Sequence, residues 1–241
     1  MTAGAGGDAG RCEEALCRQC LGRHPAVGDL LSEDDKAFIH RYRKRLRFAP
    51  GERICAHRKL PPFVIGNLTA GVIKLTFPTV PGRVGALLFP GDFLGPFSDS
   101  ASVHYSASAL SDCELCCFEG AGLHRVFARY PTLQQNFLRH FAESLERARE
   151  DAAKLRRPQA AARVAALLRL FAERADDERE HGEREVELPL TRAETALLLG
   201  LTTETVSRCL SRMRRDGIIR PHSRHHMTIK SPPRLKALAE N

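Results

Sequence analysis

The stretch from Leu188 to Gly217 constrains this chain more than any other. Thr191 can cap a helix, and Glu194, three residues on, can close a capping box. That helix runs through Ala196 and Leu199 to Gly200, where a glycine permits a left-handed turn. Leu201 then points inward, and Thr202 or Thr203 caps a second helix. Val206, Leu210 and Met213 share one face of it and are expected to bury against the first helix. Two short helices joined this way form a helix-turn-helix.

The opposite face carries Thr203, Glu204, Ser207 and Arg208 near the N-terminal end, the end that enters the major groove in such units. Arg208 can donate two hydrogen bonds to guanine O6 and N7, and Glu204 can accept from a cytosine amine. Ser207 can bond to several base edges or to phosphate. Glu204 and Arg208 also have the spacing of an ordinary i,i+4 pair on a solvated face. The capping box, the glycine turn and the basic run that follows together favour base reading. That run contains Arg212, Arg214, Arg215, Arg220 and Arg224 with His222, His225 and His226, which suit phosphate contacts. Ile218-Ile219 and Met227-Thr228-Ile229 are expected to be the two strands of a winged hairpin. The predicted contacts to double-stranded DNA are thus Thr203, Glu204, Ser207, Arg208, Arg212 and Arg215.

Four units are expected along the 241 residues: residues 1–30, a tail with cysteines; 31–130, a small β domain; 131–157, one long helix; and 158–241, the helix-turn-helix domain. Ser32 to about Arg43 is predicted helical, because Ser32 can cap and Glu33 and Asp34 suit a helix start. Pro50-Gly51, Pro81-Gly82 and Pro90-Gly91-Asp92 mark turns. The β-rich runs between and beyond them are Phe63 to Leu68, Gly71 to Phe77, Val84 to Phe89, His104 to Leu110 and Cys113 to Phe118, the spacing of a sandwich or barrel. From Pro131 to Arg157 the apolar positions are Leu133, Phe137, Phe141, Leu145, Ala148, Ala152 and Leu155. Steps of four and three approach a heptad seam; the pattern also suits one amphipathic helix packed on its own sheet, but so long a helix with so narrow a seam is expected to pair with a second copy in a homodimer. Pro158 breaks it. A helix from about Ala160 to Arg174 follows, then a charged loop from Ala175 to Arg184.

The net charge of +8 favours a polyanionic partner. No run of 18 apolar residues is present, so no membrane span is expected. Met1 to Gly10 has neither a basic nor an apolar segment of a secretory leader, which makes a cytoplasmic location the expectation. Disulfides are uncommon there, so the eight cysteines call for burial, metal ligation or redox chemistry. There is no nucleophile–base motif, P-loop or dinucleotide fingerprint, and no enzyme is expected.

The chain resembles the CRP/FNR family of bacterial regulators over nearly everything after the tail. Leu199-Gly200-Leu201-Thr202-x-Glu204-Thr205-Val206-Ser207-Arg208 is close to the FNR-type recognition helix. Pro50-Gly51-Glu52, Gly71 and Pro90-Gly91-Asp92-Phe93-Leu94-Gly95 match the glycines of the family's β-roll. The resemblance implies an α+β fold: an N-terminal β-roll (a jelly roll of cyclic-nucleotide-binding type), a long dimerisation helix and a C-terminal winged helix-turn-helix. It also implies that Glu204, Ser207 and Arg208 read a palindrome of TTGA-type half-sites about one helical turn apart, and that RNA polymerase is a partner. Cyclic-nucleotide binders of the family place an Arg-Ser or Arg-Thr pair after Gly-Glu. The corresponding stretch here, Phe97 to Val103, has no arginine and carries Asp99, so no cyclic nucleotide is expected.

Oxygen sensors of the FNR branch hold a [4Fe-4S] cluster with three N-terminal cysteines and one from the roll. The resemblance assigns these ligands to Cys12, Cys17, Cys20 and Cys116. Cys17-x2-Cys20 matches the family's first pair. The family's third cysteine usually follows that pair; here the corresponding position is Gly28, and Cys12 lies upstream instead. Among Cys113, Cys116 and Cys117, strand alternation puts Cys113 and Cys117 on one face and Cys116 on the other. A zinc site lacks its pair-plus-pair spacing. Cys55 and Cys209 read as buried small hydrophobes. The alternative to a cluster is a regulator of the same fold with no cofactor, or one controlled by thiol oxidation.

Overall fold

The computed structural model describes residues 34, 38–39, 41–59, 63, 65–78, 84–96, 103–174 and 182–240. Asp34, Phe38, Ile39 and Arg41 are helical, and Tyr42 closes that helix by donating from its backbone to Ile39 O at 3.1 Å. The predicted helix therefore ends before Arg43, which opens a strand. Eight strands follow: β1 (Arg43–Phe48), β2 (Arg53–Cys55), β3 (Ile65–Ala70), β4 (Ile73–Thr76), β5 (Val84–Leu88), β6 (Phe93–Leu94), β7 (Ser106–Ala109) and β8 (Cys113–Phe118). They form two four-stranded sheets, ordered β1-β8-β3-β6 and β2-β7-β4-β5.

Alternation along β8 decides what lies on each side. Cys113, Leu115 and Cys117 point between the sheets, into a core with Leu68, Ile73, Leu75, Leu94 and Ala107. Cys116 and Phe118 point outward, into a second apolar layer with Ile39, Ile65, Val126 and Leu133. Gly71 makes the β3–β4 turn at φ +87°, and a Cβ there would stand 2.2 Å from Asp112 O. Only glycine fits both the left-handed backbone and the close approach.

Two helices cover the outer face: α1 (Gly120–Arg129) and α2 (Pro131–Lys154). Sequence reading did not foresee α1. Pro131 stands at the start of α2, where its missing N–H costs nothing. The seam expected from Leu133 to Leu155 divides between two partners. Leu133 is buried on the roll, and Phe137 packs edge-on against Phe93 at 5.0 Å between ring centroids. Beyond them Leu138, Phe141, Leu145, Ala148, Ala152 and Leu155 repeat at steps of three and four. Leu138 is 58% exposed and Leu145 46% exposed, whereas the Phe141 ring lies 6.1 Å from that of Phe93 and Leu155 packs against the core of the last unit. Ser144 does face the roll and is buried; its hydroxyl donates to Asp92 Oδ1 at 2.9 Å. The other carboxylate oxygen of Asp92 accepts from Phe89 N at 2.9 Å, which fixes the Pro90-Gly91-Asp92 turn under α2.

The last unit comprises α3 (Ala160–Arg174), β9 (Arg184–Glu187), α4 (Arg192–Leu199), α5 (Thr203–Arg215), β10 (Ile219–Pro221), β11 (His226–Ile229) and α6 (Pro232–Glu240). Its core joins Val164, Leu167 and Leu168 of α3 to Leu210 and Met213 of α5, Ile229 of β11 and Leu235 of α6. The hairpin has a third strand that sequence reading placed at the end of a loop. β9 pairs antiparallel with β11, giving the order β10-β11-β9.

Among the described residues, the contacts that fasten this unit to the rest include the following three, besides apolar packing on Val72, Leu87 and Leu155. Phe171 of α3 meets Phe89 edge-on at 5.2 Å. Arg174 donates to Asp151 of α2 at 2.9 Å while its guanidinium lies 5.2 Å from the Phe89 ring centroid. Lys74 of β4 is ion-paired with Glu194 of α4. Burial pushes the Asp151 carboxyl up, against the pull of Arg174 and Lys154.

Candidate nucleic-acid interface

Local chemistry sets both helices of the motif. Thr191 Oγ1 accepts from Glu194 N at 3.1 Å, and Glu194 Oε2 accepts from Thr191 N at 2.9 Å, so the capping box is closed on both sides. Gly200 ends α4 at φ 63°, ψ 41°, the left-handed cap. Thr202, rather than Thr203, caps α5: its hydroxyl accepts from Thr205 N at 3.1 Å. Val206, Leu210 and Met213 are buried.

Thr203, Glu204, Ser207, Arg208, Arg212 and Arg215 are all exposed, as are Ser211 and Arg214. The six predicted DNA contacts are thereby gathered on the outward side of one helix, with the three expected base readers, Glu204, Ser207 and Arg208, in its first two turns. Arg208 Nη2 donates to Thr205 Oγ1 at 3.3 Å, a bond within the helix surface. Ser207 donates its hydroxyl back to Thr203 O at 2.9 Å, which leaves the oxygen's lone pairs directed outward as acceptors. Arg212 approaches Asp216 at 3.7 Å, an exposed and weak pair. Glu204 is set at the positive end of the helix dipole.

The wing departs from the expected set of phosphate contacts. His222 Nε2 and Thr228 Oγ1 are 2.6 Å apart, and His225 Nδ1 meets Leu188 O at 3.0 Å. These imidazoles hold the hairpin together and tie it to the strand leading into α4. Arg220 lies 4.0 Å from Glu183, and Lys230 is paired with the same carboxylate. Arg224 and His226 remain exposed. Cys209 is only partly buried rather than wholly so; burial raises its thiol while Arg208 and Arg212 pull it down.

Of the four predicted cluster ligands, Cys12, Cys17 and Cys20 lie outside the described residues. Cys116 is described and buried on the outer face of β8, in the layer that contains Ile39. The helix leading in from the N-terminal cysteines thus lands on the Cys116 side of the sheet. Cys113 and Cys117 face the opposite side. Cys113 Sγ donates to Val72 O at 3.2 Å, and burial pushes the Cys117 thiol far up. Among the described residues no three His, Cys, Asp or Glu side chains converge as metal ligands. The stretch compared with nucleotide-binding motifs, Phe97 to Ser102, lies outside the described residues. Among them no helix is long and apolar enough to cross a membrane.

Sequence reading missed two contributors to this region: Lys74, which meets Glu194, and Arg163, which hydrogen-bonds Leu199 O at 3.0 Å. Each partner lies tens of residues away, and no local pattern marks either.

Comparison with known proteins agrees with this geometry. Residues 162–238 match the Crp-like helix-turn-helix domain. The chain is 34% identical over 225 residues to a Rhizobium leguminosarum bv. viciae protein named "Probable transcriptional activator", covering 92% of each. It is 32% identical over 224 residues to the transcriptional activator protein FnrL of Cereibacter sphaeroides, covering 91% of this chain and 90% of that one. Among solved structures, FixK2 from Bradyrhizobium japonicum superposes with a TM-score of 0.66 at 23% identity, over 81% of this chain and 96% of that one.

Proposed function

The chain belongs to the CRP/FNR family of transcription regulators, and from that premise we propose that it is a homodimer that reads TTGA-type half-sites and responds to oxygen or redox state. Its C-terminal helix-turn-helix binds DNA; the chain is a regulator, not an enzyme. The observation that carries the reading is the outward face of α5. Glu204, Ser207 and Arg208 are exposed within two turns of a capped N-terminus, while Val206, Leu210 and Met213 anchor the other side. Glu204 and Arg208 supply an acceptor and a two-point donor for base edges, and Ser207 a hydroxyl. Thr203, Arg212 and Arg215 contact the backbone on either side.

The dimer reading is supported by Leu138, Leu145, Ala148 and Ala152, which follow one another at steps of seven, three and four along α2 and are exposed. The chain then divides into a cysteine tail (1–30), a sensor roll (31–130), a dimerisation helix (131–157) and a DNA-binding unit (158–241), working in the cytoplasm with RNA polymerase as a further partner and without a cyclic nucleotide.

In this reading Cys12, Cys17, Cys20 and Cys116 hold a [4Fe-4S] cluster. Thiolates are the donors such a cluster takes, and Cys116 is the roll cysteine on the face where the preceding helix arrives. When bound, the cluster supplies an oxygen-labile link among these thiolates. One observation favours the cofactor-free or thiol-controlled alternative: Cys116 is only 6% exposed beneath apolar side chains. Absorption spectra of anaerobically purified protein, before and after air, separate the two. A brown chromophore bleached by air, with loss of binding to a TTGA palindrome, is expected; a colourless protein with full operator binding in air leaves the alternative.

A further inference from the structure

The junction between α2 and the recognition unit is held at one end by a single side chain. Arg163, in the first turn of α3, uses three nitrogens on three backbone carbonyls. Nε donates to Arg157 O, Nη2 to Pro158 O at 3.4 Å, and Nη1 to Leu199 O at 3.0 Å. Arg157 and Pro158 belong to the linker that leaves α2. Leu199 is the last residue of α4, and its carbonyl is one of those a helix end leaves without a partner. A cation there also complements the negative end of the α4 dipole. Gly200 and the start of α5 follow directly. One guanidinium therefore ties the exit of the long helix to the turn that aims the recognition helix.

Packing does only part of this job at the same place. A crevice of about 530 Å³ opens beside Arg163, lined by Ala152, Leu155 and Arg156 on one side and by Leu198 and Leu199 on the other. Leu155 and Leu198 pack against the same core, but the crevice leaves that contact partial. The far end of α3 is pinned separately, by Arg174 on Asp151 and Phe171 on Phe89. The two attachments are eleven residues apart, roughly 16 Å along the helix axis. With Lys74 on Glu194 holding α4 to the roll, attachments at both ends of α3 define its orientation, and loss of the Arg163 end loosens it.

We propose that Arg163 is a positioning residue that fixes the angle between α2 and the recognition unit, and so sets the half-site spacing the protein accepts. This rests on the homodimer reading, because spacing has meaning only when two recognition helices are held together. One base pair advances about 3.4 Å along the duplex, so a joint that selects spacing must hold the helices more closely than that. Lysine cannot replace the fork: an ammonium at the end of a flexible stem does not span three fixed carbonyls.

The test compares wild-type protein with Arg163→Gln and Arg163→Lys on four duplexes: a single half-site, the palindrome, and palindromes lengthened by one or two base pairs. The wild type is expected to prefer one spacing. Both variants should bind the single half-site within about twofold of wild type while their spacing preference falls by about tenfold, the factor expected for losing a charge-assisted hydrogen bond. Two results would overturn the proposal: a variant that keeps the wild-type preference, or one that loses the same factor on every duplex including the half-site, which marks a merely structural role. If the wild type itself sediments as a monomer and shows no spacing preference, the dimer reading falls and this proposal with it. A dimeric variant with unchanged preference overturns this proposal alone.

Discussion

Lys74 of the roll is ion-paired with Glu194, the third residue of α4, so the roll grips the capping box of the helix-turn-helix. One carboxylate serves both ends. Its Oε1 faces Lys74, and its Oε2 accepts from Thr191 N at 2.9 Å and from Thr191 Oγ1 at 2.8 Å. Local helix chemistry and domain docking are thereby the same interaction.

A pH dependence follows. Burial alone would push the Glu194 carboxyl up, but the hydrogen bonds from Lys74 and Thr191 outweigh it and hold the group below its ordinary 4.5. A carboxyl with a lowered folded value stabilises fully above its unfolded value, and that stabilisation is lost as pH falls through the lower one. Glu194→Gln, which keeps a capping-box side chain without the charge, should flatten the acid limb of stability against pH. Glu194→Ala should cost about 1 kcal/mol or slightly more, since the cap is lost as well. Thermal melts of the three proteins from pH 7 down to the onset of acid unfolding measure both. Parallel curves for wild type and Glu194→Gln would show that the pairing contributes nothing.

Arg208 and Arg215 should fail in different ways. Arg208 is placed to donate to a base edge, so Arg208→Ala should cost about 1–3 kcal/mol on the TTGA palindrome and relax discrimination at one position. Arg215 lies in the last turn of α5, and in the proposed reading its partner is a phosphate. Arg215→Ala should weaken binding to all duplexes evenly and reduce the slope of log affinity against log salt by about 1. Fluorescence anisotropy on a panel of single-base operator variants at several salt concentrations distinguishes the two. Equal losses on every duplex for Arg208→Ala would remove it from base reading.

The recognition element was the most legible part of the chain because its rules are local. Thr191, Glu194, Gly200 and Thr202 act on neighbours within a few residues, and each does in the structure what its type allows. Elements made by distant partners were not legible. β9 is Arg-Glu-Val-Glu, a charged run that is a strand only because β11 pairs with it. β6 is two residues long. α1 opens Gly-Ala-Gly, whose two glycines are poor helix formers, and its Glu119 makes no side-chain cap. Gly122 is there because Tyr42 lies against it, where a Cβ would come within 2.9 Å of Tyr42 Cβ. α6 opens on Pro232-Pro233, which read as breakers although the first turn of a helix tolerates proline. In the candidate site the same division holds. The α5 side chains could be named from spacing, whereas Arg163 and Lys74 meet partners 36 and 120 residues away.

The cysteines of β8 make a sharp comparison. Cys116 and Cys113 are three residues apart on one strand, yet they face opposite layers. If the cluster reading is right, Cys116→Ala should abolish iron incorporation, while Cys113→Ala should retain iron and sulfide at about four each per chain, as in wild type. Cys113→Ala should instead lower the melting temperature, because its thiol fills the inner core and donates to Val72 O. Iron and acid-labile sulfide assays after anaerobic reconstitution give the answer. Full iron content in Cys116→Ala would remove that residue from the ligand set.

Leu138 and Leu145 test the dimer from the other side. They stand seven residues apart, one heptad, and they are among the few large apolar side chains left exposed. Leu133 and Phe137 on the same helix are already used by the roll, so substitutions there would damage the monomer and say little about association. Leu145 is 46% exposed, so Leu145→Glu costs the monomer less packing than a change at either of those two. Two glutamates facing each other across a symmetric seam would repel and lose apolar contact. The variant should keep its melting behaviour at low concentration, sediment as a monomer where the wild type is a dimer, and bind a single half-site as the wild type does. Affinity for the full palindrome should fall towards that of the half-site, since the second site is then no longer bound intramolecularly. A Leu145→Glu protein that remains dimeric would place the interface elsewhere than the exposed stripe of α2.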